Sequence, residues 1–151
     1  MEKIFKCKTE TLEHIREVEK NLNKVIHELI KRGEKHDDSK LSSPELEIFA
    51  QADTLSRVEY NSQEYKQNLE KIKPAISHHY SKNRHHPEHW PNGIEDMNLI
   101  DLVELLADWK AATKRNKNGN ILKSIEINAQ KFNISPQLRK ILENTVKEIY
   151  E

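Results

Sequence analysis

Histidine and carboxylate stand side by side at His36-Asp37, within the run GEKHDDSK (residues 33–40), and histidines crowd again in HHYSKNRHHPEHW (residues 78–90). Neutral imidazoles and carboxylates from separate elements can grip a transition-metal ion while leaving one position open to water. His36 and Asp37 supply one ligand of each kind just after a long amphipathic segment ends. His14 shares a helical face with Val18 and Leu22, and His79 follows Leu69, Ile72 and Ile76 at helical steps, so both imidazoles are expected to turn inward. Its neighbour His78 is expected to face outward. Asp108 lies among Leu105, Leu106 and Trp109, where a carboxylate must be paired, protonated or bound to a cation. Asp101 and Glu104 share its face and read as a solvated acidic stripe. His85 and His86 read alone fit either a solvated loop or a pair of ligands.

The elements that must position these side chains are helical. Leu12, Ile15, Val18, Leu22, Val25, Ile26, Leu29 and Ile30 recur at steps of three and four up to Gly33, which predicts a helix from about Thr9 to Arg32. Ser43-Pro44 opens a second helix from Glu45 to about Glu59, and Ser62 caps a third that Pro74 should bend or restart. Residues 81–93 hold Pro87, Pro91 and Gly93 without a sustained period and read as an ordered loop or broken helix. Asn98 with Asp101 resembles a capping box ahead of the stripe Leu99, Leu102, Val103, Leu106 and Trp109. Further helices are expected over Ile121–Phe132 and, after Ser135-Pro136, through Leu138, Ile141, Leu142, Val146 and Ile149. The fold class expected is all-α: one domain over residues 1–151, a helical bundle of about six helices.

Lys plus Arg and Asp plus Glu number 25 each, so no global positive field exists to hold long nucleic acid or an anionic membrane. No run of some 18 apolar residues occurs, and the start MEKIFKCKTE carries no apolar stretch between its charges, so the expected place is the cytoplasm, off any membrane. The single cysteine, Cys7, cannot form an internal disulfide.

Taken in order, His14, His36-Asp37, His79, His85-His86 and Asp108 resemble the H…HD…H…H…D series of the HD-domain superfamily of metal-dependent phosphohydrolases. The resemblance spans most of the chain and is strongest to the two- and three-metal branches, in which HDxxK precedes a histidine pair, a glutamate and an aromatic, much as HHPEHW runs here. It implies one or two divalent transition-metal ions (Fe, Mn, Zn, Co or Ni). His14, His36, Asp37 and Asp108 would hold one, His79, His85 and His86 a second, Asp37 would bridge them, and Glu10 matches an acidic ligand of some three-metal members. The GYP element of cyclic-di-GMP phosphodiesterases is missing, PNGI (91–94) standing in its place, so that substrate is not implied. The set NRHHPE (83–88) with DLVELLADW (101–109) also looks like a little-studied family of small phage and bacterial HD-like proteins, with which no substrate comes.

The chemistry expected is hydrolysis of a phosphate ester, a nucleotide or a related small molecule, by water activated on the metal. Lys40 would hold a phosphate oxygen, Asp37 and Asp38 would orient a ligand or take a proton, and Lys82 with Arg84 would form a second cationic lip. Asn83 would fix an imidazole and Trp90 would stack on a base or close over the core. Two alternatives share these residues: a di-iron oxygenase of the same superfamily, and a protein of this fold that binds a nucleotide or metal without turnover.

Overall fold

Glu2–Lys35 forms one long amphipathic helix, α1, extending beyond both ends of the apolar stripe that predicts it. Gly33 does not stop it, because nothing in a helix forbids glycine; it only costs about 1 kcal/mol relative to alanine. The computed structural model describes residues 1–51, 63–115 and 118–150, with backbone alone for 63–69. The chain forms two compact units, Met1–Lys35 and His36–Glu151.

The second unit carries α2 (Glu45–Gln51), α3 (Gln63–Lys82), α4 (Leu99–Thr113), α5 (Ile121–Lys131) and α6 (Pro136–Ile149). Short 3-10 turns occupy Asp38–Leu41, Pro87–His89 and Gly93–Asp96. The chain is therefore all-α, with six α-helices and no strand among the described residues, and no helix among them is long and apolar enough to cross a membrane. The expected continuation of α2 to Glu59, and the cap at Ser62, lie outside the described residues.

Local chemistry sets most helix ends. Asn98 caps α4 by accepting from the amides of Ile100 and Asp101, while Asp101 accepts from the Asn98 amide at 3.1 Å, the reciprocal box anticipated from sequence. Asn120 caps α5, and Ser135 caps α6 with proline in its first turn. α3 runs on through Pro74, where a bend or restart is expected. The ring removes one ladder bond, and the buried face Ala75, His79, Asn83, stepping by four, keeps the axis seated.

The apolar core sits at the carboxyl end of the chain. Leu105, Leu106 and Trp109 of α4 pack with Ile121, Ile125 and Ala129 of α5 and Leu142 and Val146 of α6. α2 packs on α3 and on the turn at residues 38–41, and α3 on the turn at 87–89. α4 thus turns Leu105 and Trp109 to oil and Asp101, Glu104 and Asp108 to polar partners.

Candidate metal centre

Asp37 has a left-handed backbone, φ 59° and ψ 16°. A residue with a Cβ enters that region at a cost of order 1–2 kcal/mol, which aspartate tolerates better than most, and such strain marks positions where the side chain must be aimed. Asp37 Oδ2 accepts from Lys40 at 2.6 Å. Its Oδ1 lies 3.3 Å from His79 Nε2 and 3.6 Å from His85 Nε2, and His79 Nε2 lies 2.9 Å from His86 Nε2. Ligands at about 2.0–2.1 Å around a tetrahedral ion stand roughly 3.3 Å apart, so these separations match a shared cation. One ligand atom from each of Asp37, His79, His85 and His86 falls within 4.8 Å of the others.

Two atoms in this group, Asp37 Oδ1 and His85 Nε2, are buried with no hydrogen-bond partner. An orphaned acceptor in the interior costs about 1–3 kcal/mol. A cation placed between the two, 3.6 Å apart, would satisfy both.

Outer carboxylates orient the imidazoles. Glu45, fully buried at the start of α2, places Oε2 at 2.9 Å from His79 Nδ1 and Oε1 at 2.7 Å from His78 Nδ1. Glu104 sets one oxygen, Oε1, at 3.0 Å from the Nδ1 of both His36 and His85. A carboxylate accepts a proton on Nδ1, leaving the lone pair of His79 and His85 on Nε2, the atom facing Asp37. Asn83 donates to the His79 carbonyl and to Ser39 Oγ, both at 2.8 Å, tying the end of α3 to the turn at residues 38–41.

Charge divides the cluster. The nearby carboxylates of Asp108 and Glu104, working against burial, raise the pKa of His36 to about 10, so in the metal-free chain it is an imidazolium. Burial, with His85 and His79 close by, lowers His86 to about 3, and burial with nearby Lys40 lowers His79, keeping both neutral as ligands require. Burial disfavours ionisation of Asp37, but its hydrogen bond and proximity to Lys40 prevail and keep the carboxyl below its usual range. The imidazolium of His36 close by does the same for Asp108, against burial.

A family match covers residues 3–148. The chain belongs to DUF5662, a family of unknown function. No curated protein and no solved structure matches it.

In this DUF5662 chain the sequence-predicted residues separate into three sets. Asp37, His79, His85 and His86 converge, and His36 and Asp108 adjoin them, with His36 Nε2 at 3.6 Å from Asp37 Oδ2 and 3.7 Å from Asp108 Oδ1. His14 and Glu10 lie on α1 in the other unit; the converging group forms without them, and His14 is exposed although its spacing predicts an inward ring. Asp38 is exposed at the start of its 3-10 turn, outside the group.

The expected second lip is differently employed. Lys82 is exposed in the last turn of α3. Arg84 forms a two-point ion pair with fully buried Asp101, Nε to Oδ1 and an Nη to Oδ2 at 3.2 Å each, and its guanidinium lies 4.6 Å above the Trp90 ring. Trp90 donates its indole N–H to the Arg84 carbonyl at 2.9 Å. Arg84 and Trp90 thus brace the histidine loop against the start of α4. His78, expected to face outward, is half-buried and bound to Glu45.

Sequence reasoning missed Glu45 and misjudged Glu104, which is buried and not part of a solvated stripe. A signal existed for Glu104: it sits between Val103 and Leu105 in a helix nearly all apolar, where an acid must face a partner. For Glu45, the first residue of a helix, there was none.

Proposed function

We propose that this chain is a metal-dependent hydrolase of small phosphate esters of the HD type, nucleotides being the class the sequence resemblance implies. The observation that supports the reading best is the pair of partnerless buried atoms, Asp37 Oδ1 and His85 Nε2, ringed by the lone pairs of His79 and His86. Glu104, His36 and His85 could also hold a cation, but an ion there leaves both orphans unsatisfied, so the Asp37 group is the better fit. Oxygen and imidazole donors in that group suit Mn, Fe, Co, Ni or Zn.

A bound ion would draw the pKa of water from about 15.7 toward 7 and offset negative charge developing on phosphorus oxygens. The chain's own residues do the remainder. Lys40 has donors to spare beyond its bond to Asp37 and presents a compact positive charge for a phosphate oxygen. Glu45 and Glu104 hold the imidazoles in the ligating tautomer, and burial of His79 and His85 excludes competing water.

The test is elemental analysis of the purified full chain, then phosphate release from a panel of esters with added divalent ions, with oxygen uptake followed in parallel. Stoichiometric transition metal with phosphate release supports the reading. Oxygen uptake without phosphate release transfers the site to oxygenase chemistry, and an Asp37→Ala protein that retains its metal removes the ligand assignment.

A further inference from the structure

Beside the cluster opens a cavity of about 550 Å3, within the range of small-molecule sites. His79 and His86 form part of its wall, so it adjoins the proposed metal position. Lys40 and Arg115 supply two cations to the same lining. The rest of the described wall is apolar or aromatic: Leu46, Phe49, Ala50, Ile76 and the ring of Tyr80. The polar groups of the described lining are thus the two cations, two imidazoles and one tyrosine, and the remainder is hydrocarbon. Leu46 is 48% exposed, an apolar face turned to open space in this wall.

Resting on the hydrolase reading, we infer that the substrate is a phosphate monoester of an apolar alcohol, its phosphate held by Lys40 and Arg115 and its hydrocarbon lying on Leu46, Phe49 and Ile76. Two cations match a dianionic phosphate, and the apolar side chains among the described lining residues favour a hydrocarbon over a polar leaving group. The reaction adds water to phosphorus and breaks the phosphorus–oxygen ester bond. A proton of the water ends on the departing alkoxide, giving the free alcohol and inorganic phosphate.

The decisive comparison uses ethyl and hexyl phosphate, whose leaving groups are nearly equal in acidity and which differ in apolar length, with adenosine 5′-monophosphate as the polar competitor. Turnover is followed as phosphate release from the metal-supplemented full chain, and binding by calorimetry on the same chain with and without chelator. Each fully buried methylene is worth about fourfold in affinity, so KM for hexyl phosphate should lie about tenfold or more below that for ethyl phosphate, and the nucleotide should trail the hexyl ester. Phe49→Ala should shrink the hexyl-to-ethyl ratio severalfold; Leu46→Ser, at an exposed position, should do the same should the first variant fail to fold. Arg115→Ala should raise KM for both alkyl esters alike. Equal KM values for the two alkyl esters, or preference for the nucleotide, overturn the cavity assignment and leave the hydrolase standing. Chain-length-dependent binding without turnover supports the cavity and overturns the hydrolase; neither binding nor turnover overturns both.

Discussion

Glu104 and Glu45 are two buried carboxylates with the same task and different outcomes. Glu104 binds two imidazoles through a single oxygen, His36 arriving after α1 and His85 after α3, whereas Glu45 divides its two oxygens between the adjacent His78 and His79 of one helix. Around Glu104 the carboxylates, with Asp108 beside them, force a proton onto His36; around Glu45 burial and the charge of Lys40 keep His79 neutral. The lesson is that a glutamate behind a histidine does not fix its protonation state. Burial and the other charges around the ring decide it.

The largest effect expected falls outside either clamp, at the residue both serve. Asp37→Ala should lower metal affinity by more than the roughly 100-fold upper range of outer-shell losses, read by calorimetric titration. Next, Glu104→Ala should cost about 10–100-fold in the same titration, and Glu45→Ala should lie nearer the lower end, since Ser39 Oγ, 3.4 Å from His79 Nδ1, remains as a partner for that ring. Equal losses would erase the distinction between the clamps.

A smaller change is expected at the brace. Arg84→Ala should lower unfolding stability by about 1–3 kcal/mol by removing the two-point bond to the buried carboxylate of Asp101, seen as a reduced denaturation midpoint with metal affinity nearly intact. A selective rise in KM at unchanged stability would restore Arg84 to the substrate lip.

The mildest test is pH. In chelated protein, His36 has its pKa raised from 6.5 to about 10, so its contribution is complete below pH 6.5 and is lost as pH rises toward 10. His86 is lowered from 6.5 to about 3; it stays neutral in the fold while the unfolded chain takes up a proton, so its contribution is complete above pH 6.5 and is lost as pH falls toward 3. His36→Asn should flatten the alkaline limb and His86→Asn the acid limb of midpoint against pH. A variant that flattens the opposite limb would reverse the assignment of charge.

Spacing alone made most of the helical framework legible. The stripe of α4 and its Asn98–Asp101 box, the Ser135-Pro136 start of α6 and the irregular stretch at 81–93 all emerge from local rules, because caps and amphipathic periods are satisfied within a turn or two of chain. The inward face of His79 was legible for the same reason, from Ile72 and Ile76 on α3, although the same rule placed His14 inward and it is exposed.

What the tertiary structure alone decided is partnership. Whether Arg84 meets a substrate or Asp101, and whether Glu104 meets water or two imidazoles, depends on elements 17 residues away in the first case and 68 and 19 in the second, counted along the chain. A charged side chain pairs with whatever the packing of helices brings within about 3 Å, and the composition of one helix face does not contain the identity of the face opposite. The sequence by itself therefore determined an all-helical chain rich in potential ligands, while only packing determined that Asp37, His79, His85 and His86 share one point.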